Sequence, residues 1–495
     1  MPTHIIPTPQ HLTSDNTPLP PLTPAEHAAL AECLNGWAPH AATHLLTTYT
    51  PSPTTAATGH ADGTVTGIGH TAPAAPLRTV SATHDRSLPA ESFELTATRE
   101  RIDLTAADPA GAFYGVNALI QALRTPGAEG FTARSAPTYP TRGVMLDVAR
   151  HFFGVDTITS VIDVASAYGL NRLHLHLSDD QGWRIEIDGH PALTERASAN
   201  DVDGGAGGYL TLADYEAIQR YAAAHAMTVV PEIDLPGHTH ALQVAYPQVS
   251  PDGKPREPYA GIDVGFSWVN LTADATWELL DDIVGSLART THGEYLHVGG
   301  DEVKQVSRPE YEQFMGRLGE LVAAHGKKLV VWQEAAGSPL PEGTQVQYWT
   351  HEFNQDNLAH LAHTAEHTGV EVIASPAYHT YLDLKPVPDF PLGLTWAGLV
   401  PLRAAYEWTP AAAMPVIPSH LITGVETCLW TETIRTPHDI MTMLLPRLPA
   451  VASVAWGAPV DYPSFVTSIA THQHTWWHPN GWAHYADPDV PWVQR

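Results

Sequence analysis

From Thr141 onward the chain repeats one unit, a short run rich in Val, Leu and Ile followed by a stretch whose apolar residues recur every three or four positions. Eight runs stand out: GVMLDVA (143–149), RLHLHLSD (172–179), TVVPEIDL (228–235), YLHVGGDE (295–302), KLVVWQE (328–334), QVQYW (345–349), VEVIASP (370–376) and ITGVETCLW (422–430). Short apolar runs without strict alternation read as strands buried on both faces, as in a parallel sheet. Helix signals lie between them. Asp156 is placed to cap a helix with Ile158, Val161, Ile162, Ala165 and Tyr168 on one face and Gly169 at its end. Residues 211–214 have capping-box form ahead of Tyr215, Ile218 and Tyr221, and Trp277, Leu280, Ile283, Val284 and Leu287 make a third stripe. The pattern predicts an α/β chain folded as a (β/α)8 TIM barrel, with an open doubly wound sheet as the alternative. Only about ten residues separate the fifth and sixth runs, so the fifth helix is expected to be degenerate.

A chain of 495 residues is too long for one ordinary core, and its first part has a different rhythm. Residues 41–80 are rich in Thr, Ala, Pro and Gly, and residues 92–106 alternate like a hairpin turning near Arg99 and Glu100. A helix over about residues 109–123 aligns Phe113, Val116, Leu119, Ile120 and Leu123. These signals predict a small α+β domain over residues 1–137 and the barrel over 138–495, with the Pro-containing stretch 135–140 as the seam.

A composition of 43% hydrophobic residues with 14 Trp and 17 Tyr is that of a globular chain. Its formal net charge of -28 repels polyanions, which argues against nucleic acid or an anionic membrane surface as a partner. The opening MPTHIIPTPQHLTSDN has neither a basic nor an apolar leader segment, and no run has the length of a membrane span, so a cytoplasmic protein is expected. Cys33 and Cys428 are too few for a disulfide framework and are expected as buried thiols. The late aromatics Trp476, Trp477, Trp482 and Trp492 are expected to pack on their own chain.

Chemistry in a parallel barrel sits at the carboxyl ends of its strands. Those ends carry Arg150, Asp179, Asp180, Asp234, His238, Asp301, Glu302, Trp332, Trp349, Tyr381, Asp383, Trp430 and Glu432. Acids and aromatic faces in such number suit a sugar, whose C–H faces stack and whose hydroxyls take charged partners. Helix capping or core packing explains single members of the set, and strains when all eight ends must be explained together. His174 and His176 face one way along a strand, which is also a metal-ligand spacing, but they precede the strand end, where histidines satisfied within the core are expected. The glycine-rich stretch 203–209 does not directly follow a strand, as a dinucleotide loop would.

Asp301 and Glu302 stand side by side after Gly299 and Gly300. Neighbouring residues of a strand point in opposite directions, so the two acids have different jobs. Each charge raises the partner's pKa, which lets one carboxyl stay protonated while the other is ionised. The glycines leave space beside the pair.

The motifs LDVARHFF (146–153), LHLSDDQGWR (175–184), PEIDLPGHT (231–239), HVGGDE (297–302), VVWQE (330–334), YLDLK (381–385) and CLWTE (428–432), in this order, resemble the β-N-acetylhexosaminidases of glycoside hydrolase family 20 over nearly the whole chain. The resemblance implies a retaining exo-hydrolase that removes terminal β-linked N-acetylglucosamine or N-acetylgalactosamine from a small oligosaccharide or glycoconjugate. The substrate's own 2-acetamido group would be the nucleophile. No cofactor and no metal are implied, and the chain is expected as a monomer or homodimer. Residue by residue, Glu302 matches the general acid/base, Asp301 the residue that orients the acetamido group, and Tyr381 the hydroxyl that holds its carbonyl. Trp332, Trp349 and Trp430 match the walls of the acetamido pocket, and Trp396 an aromatic on the leaving-group side. Arg150, Asp383 and Glu432 match residues that bind ring hydroxyls, while Asp179 and His238 match supports of Glu302. Adjacent acids do not flank a sugar from both faces, which fits an intramolecular attack rather than a two-carboxylate mechanism. The rival readings are a metal-dependent barrel hydrolase using His174 and His176, and an amino-sugar-binding protein without catalysis.

Overall fold

The alternation of residues 92–106 produces the hairpin that organises the first of two compact units. The computed structural model describes residues 4–49, 78–349 and 355–492, with side chains from 358 onward in the last stretch, so most of the Thr- and Pro-rich segment lies outside the described residues. The first unit comprises residues 1–137 and 470–476. Its strands β1 (His11–Pro18), β2 (Thr79–His84), β3 (Phe93–Ala97), β4 (Arg101–Ala106) and β5 (Glu129–Ser135) form a sheet in the order β1-β5-β3-β4-β2. β3 and β4 pair antiparallel, Phe93 opposite Ala106 and Ala97 opposite Ile102, so Phe93, Leu95 and Ala97 share the buried face. The expected helix runs Pro109–Arg124, and Asp108 caps it by accepting the Gly111 N–H at 2.8 Å. It is buried almost all round rather than along one stripe, because helix Pro39–Thr48 covers a second side and sets the His44 ring 4.4 Å from that of Phe113.

The second unit, residues 138–469 and 477–495, holds eight strands at the eight expected places: β6 (Thr141–Asp147), β7 (Arg172–His176), β8 (Thr228–Glu232), β9 (Tyr295–His297), β10 (Lys328–Trp332), β11 (Gln345–Tyr348), β12 (Glu371–Ala374) and β13 (Ile422–Leu429). All neighbouring pairs are parallel, and β13 returns to β6 with Gly424 opposite Thr141, so the sheet closes into a barrel and the open doubly wound alternative falls. Val230, Val330 and Ile373 pack together in its apolar core. Charged side chains are buried there as well: Arg172, His174, His176, Glu232 and Glu426 are all below a tenth exposed. Buried charges persist only when paired, and this polar column leads to the site.

The helix of residues 211–224 has the expected capping box, with Thr211 Oγ1 receiving the Asp214 N–H at 3.1 Å. Asp156 does not cap its helix. The N-cap is Gly154, in extended backbone, which places Asp156 in the first turn, where its charge still complements the helix dipole. Between β10 and β11 there is only a 3-10 turn, Gln333–Ala335, and a loop, the degenerate connection expected from its length. Trp477 is fully buried and donates its indole N–H to Tyr168 Oη at 2.8 Å, and its ring lies 6.4 Å from that of Trp492. Cys428 is buried as expected, whereas Cys33 is only half-buried. Among the described residues no helix is long and apolar enough to cross a membrane.

Candidate active site

A cavity of about 350 Å³ opens where the strands end, lined by Arg150, His238, Ile262, Val264, Asp301, Glu302, Trp349, Tyr381, Leu394, Trp396, Trp430 and Glu432. The strand ends thus bring together most of the residues singled out by sequence. Trp332 is the exception among the expected walls. It is completely buried behind Trp430, ring centroids 6.0 Å apart, and it donates its N–H to Glu232 Oε1 at 2.8 Å. Asp179 and Asp383 also lie just behind the cavity surface, 1% and 3% exposed.

The acidic pair is not on a strand, which corrects the argument from strand alternation. β9 stops at His297, and residues 299–302 form a loop in which Gly299 and Gly300 have φ of +70° and +119° and Glu302 has +54°. The space beside the pair is filled from within the protein. A Cβ on Gly299 would lie 1.7 Å from Asp234 Oδ1, which accepts the Gly300 N–H at 3.2 Å, and the Tyr311 hydroxyl donates to the Gly300 carbonyl at 2.5 Å. What separates the two acids is this left-handed backbone: Asp301 is buried, while the Glu302 side chain keeps 26% of its exposure. His238 also has a positive φ, +52°. Two such non-glycine residues side by side is strain of the kind that collects at functional sites, costing about 1 kcal/mol each.

His238 joins the acids to a third carboxylate. Its Nδ1 lies 3.1 Å from Asp179 Oδ1, and its Nε2 lies 3.5 Å from Glu302 Oε2 and 3.8 Å from Asp301 Oδ2. Asp179 is held in turn by Arg150 at 2.9 Å, whose guanidinium stacks 4.8 Å above the Trp430 ring and reaches Asp147 at 3.6 Å. Burial works against the Asp179 charge, but Arg150 and His238 keep its carboxyl well below the usual range. The His238 imidazole, although burial opposes its charge, is pushed well above its ordinary value by Asp179, Asp234 and Asp301.

Burial pushes Asp301 up to about 6, with Glu302 adding to the rise and His238 opposing it. For Glu302 burial is outweighed by its contact with His238, and the carboxyl falls below its ordinary value. Of the two neighbours, the His238 imidazolium rather than Glu302 therefore holds the proton. Burial and then the charge of Asp301 push the neighbouring Asp234 carboxyl well above the carboxylate range.

Aromatic rings close the other side. Tyr381 is 2% exposed, its ring near-parallel to Trp349 at 6.4 Å and edge-on to Trp396 at 5.8 Å. Trp396 stands at the rim, 46% exposed. Trp349 is fixed by Glu334 Oε2, which accepts its indole N–H at 3.1 Å. Several buried polar atoms around the cavity have no hydrogen-bond partner in the protein: Arg150 Nε, Asp301 Oδ1 and Asp383 Oδ2. Unsatisfied polar atoms converging on a cavity are ready to bond a polyhydroxylated ligand. Burial and then Glu432 hold the Asp383 carboxyl well above its ordinary range, so it offers a donor as well as an acceptor.

His174 and His176 have their ring nitrogens against carboxylates: Glu426 at 2.8 Å and Glu232 at 3.0 Å for His174, Glu232 at 2.5 Å and Asp179 at 2.8 Å for His176. They are satisfied core histidines. Sequence reading missed Glu232 and Glu426, which are interior strand residues like any others in the pattern, and Glu334, which ends a motif but was assigned no task. It also missed Ile262, Val264 and Leu394, which come from long loops without periodicity.

The family model for the catalytic domain of glycosyl hydrolase family 20 matches residues 139–312 and 307–459, and that for domain 2 of the same family matches residues 3–136. The chain is 40% identical over 409 residues to a β-N-acetylhexosaminidase of Cellulomonas fimi, covering 81% of this chain and 82% of that one. It is 30% identical over 404 residues to a β-hexosaminidase of Vibrio furnissii, covering 73% and 64%. Among solved structures, the family 20 β-N-acetylhexosaminidase of Streptomyces coelicolor A3(2) superposes with a TM-score of 0.85 at 36% identity over 99% of both chains. A mutant Streptomyces plicatus β-hexosaminidase in complex with its product N-acetylglucosamine superposes at 0.84 with 35% identity, over 99% of this chain and 98% of that one. With a catalytic-domain model covering the barrel and a cavity of paired acids and aromatic walls at its strand ends, the chain belongs to glycosyl hydrolase family 20 and is a glycoside hydrolase with β-N-acetylhexosaminidase activity.

Proposed function

We propose that the protein is a retaining exo-hydrolase for terminal β-linked N-acetylglucosamine or N-acetylgalactosamine on small oligosaccharides or glycoconjugates, and that the sugar's own 2-acetamido oxygen attacks the anomeric carbon. One observation carries this reading: Asp301 and Glu302 leave one loop and meet on one imidazole nitrogen, 3.8 Å and 3.5 Å from His238 Nε2, so they act from one flank of the sugar. A two-carboxylate mechanism needs acids on both sides of the scissile bond. The missing nucleophile is then supplied by the substrate, in an intramolecular attack whose effective molarity is of order 10⁵ M or more.

In this reading Asp301, ionised above about pH 6, accepts the acetamido N–H as positive charge develops on the forming oxazolinium ring. Tyr381 donates to the acetamido oxygen and aligns it, within walls formed by Trp349 and Trp430. Glu302 protonates the leaving oxygen. A bound sugar strips water from its half-buried carboxyl, which favours the neutral acid, and the proton arrives from His238. Arg150, Asp383 and Glu432 hold the ring hydroxyls, the bond from the charged Arg150 contributing about 1.5–3 kcal/mol. Trp396 at the rim takes the leaving group.

The test is hydrolysis of an aryl N-acetyl-β-glucosaminide by Glu302→Gln and Asp301→Ala. Each variant is expected to lose about 10²–10⁴ in kcat, and Asp301→Ala also loses inhibition by a thiazoline mimic of the bicyclic intermediate. Wild-type rates in Glu302→Gln, or unchanged thiazoline inhibition in Asp301→Ala, would defeat the assignment.

A further inference from the structure

A continuous line of ionisable groups runs from the floor of the barrel to Glu302. Glu426 on β13 faces His174 Nδ1 at 2.8 Å; His174 Nε2 and His176 Nδ1, both on β7, meet on Glu232 Oε2 at 3.0 and 2.5 Å; and His176 Nε2 faces Asp179 Oδ2 at 2.8 Å. Asp179 Oδ1 then meets His238 Nδ1 at 3.1 Å, and His238 Nε2 faces Glu302 at 3.5 Å. Each of the three histidines lies between carboxylates, which accept hydrogen bonds and do not donate them when ionised. Carboxylates on both sides favour the doubly protonated form of each ring, while Arg150 Nη1, 3.4 Å from His176 Nε2, opposes it there, and charges alternate along the line.

We propose that His176 and Glu232, which do not touch the cavity, are positioning residues that determine where the proton used by Glu302 resides. The reading rests on Glu302 as the general acid. His176 acts through Asp179: the imidazolium shares Asp179 Oδ2 with the Arg150 guanidinium, which bonds the same oxygen at 2.9 Å. Both cations draw on the charge of one carboxylate, which then supports the His238 imidazolium less strongly through Nδ1, so that the proton on Nε2, the nitrogen facing Glu302, can pass to it. Glu232 keeps His176 charged, and its other oxygen accepts the Trp332 N–H at 2.8 Å, so the carboxylate cannot turn away. Burial disfavours both imidazolium ions, but their carboxylates keep His174 up at about 9 and His176 at about 10.

The remaining charged neighbours are fixed. Asp147 stands 3.6 Å from Arg150, and the Glu432 charge also acts on it. Asp180 follows Asp179 directly, Asp234 and Asp301 act on His238, and Arg172 acts on Glu426. His297, stacked 4.6 Å from His174, sets its Nδ1 3.0 Å from both the Gly299 nitrogen and Glu232 Oε1, and burial holds its imidazole below the ordinary value against the pull of Glu232.

Removing the His176 charge leaves Asp179 more basic, so the proton stays on His238. The loss should appear only where a proton is needed. His176→Gln and Glu232→Gln are compared with Glu302→Gln on two N-acetyl-β-glucosaminides, one with a 2,4-dinitrophenyl leaving group that departs unaided and one with a basic alkyl leaving group. For both interior variants the alkyl substrate is expected to slow by about tenfold or more and the dinitrophenyl substrate far less. The basic limb of the kcat/KM profile should move up by about one pH unit, as the pair holds its last proton more tightly. Equal losses on both substrates, or no loss and an unmoved limb, overturn the proposal when Glu302→Gln itself discriminates between the substrates. If Glu302→Gln does not discriminate, the general-acid reading beneath it fails instead. Glu232→Gln, the closest in shape to the native residue, decides the matter should His176→Gln not fold.

Discussion

Gly299 exists for Asp234: the position its Cβ would take lies 1.7 Å from Asp234 Oδ1, and the glycine sits at a φ of +70°. Asp234 in turn accepts the N–H of Gly300, the residue before Asp301, so the glycine carries the register of the acidic loop. Gly299→Ala meets both a left-handed backbone and the buried Asp234 carboxyl group. It should lower stability by about 1–3 kcal/mol and activity by more than the stability loss explains, read by thermal unfolding beside kcat/KM.

Asp301 should give the acid limb of the pH profile. Burial raises its folded pKa from 3.8 to about 6. Its neutral form is the one the fold favours, so this contribution to stability is full below pH 3.8 and is lost as pH rises through about 6. Activity runs the other way, because only the ionised form accepts the amide N–H, and kcat/KM should fall as pH drops through about 6. Asp301→Asn should therefore raise the melting temperature at pH 7.5, by the equivalent of about 1–3 kcal/mol, while abolishing turnover. A lowered melting temperature would show that the ionised carboxylate stabilises the loop.

The eight strands were legible because a barrel strand carries its signal within five or six consecutive residues, and the site was legible to the extent that it sits at strand ends. Three features escaped for physical reasons. Glu232 and Glu426 have the same inward periodicity as the apolar core, and only pairing across the barrel makes them networked acids. The acid pair was read as strand because the run YLHVGGDE is continuous, whereas β9 stops at His297 and the positive φ values begin at Gly299. The cavity walls Ile262, Val264 and Leu394 depend on how long loops fold back, which no local pattern encodes. Trp332 read as a pocket wall, but it faces Glu232 one layer lower.

Glu334 should be a positioning residue in its neutral form. Burial, and next the charge of Asp301, push it up to about 8, and its Oε2 orients Trp349. Glu334→Gln keeps the acceptor and should stay within about threefold of wild type at pH 6.5, whereas Glu334→Leu frees the indole and should cost about tenfold, equivalent to about 1.4 kcal/mol. Steady-state kinetics on an aryl substrate separates the two.

Trp396, 46% exposed at the rim, should matter for what leaves rather than for what is cleaved. Trp396→Ala should raise KM for a chito-oligosaccharide by about fivefold to tenfold, the loss of one stacking contact of about 1 kcal/mol, with kcat little changed. An equal effect on a small methyl glycoside would place the ring against the terminal sugar instead.

The central claim is that the substrate's amide oxygen is the nucleophile, and it is tested most directly by weakening that oxygen. Across substrates bearing N-acetyl, N-fluoroacetyl, N-difluoroacetyl and N-trifluoroacetyl groups on one aryl leaving group, log kcat/KM should fall steeply and linearly with each added fluorine. A flat series, or a covalent sugar adduct on a side chain isolated during turnover, would contradict the account.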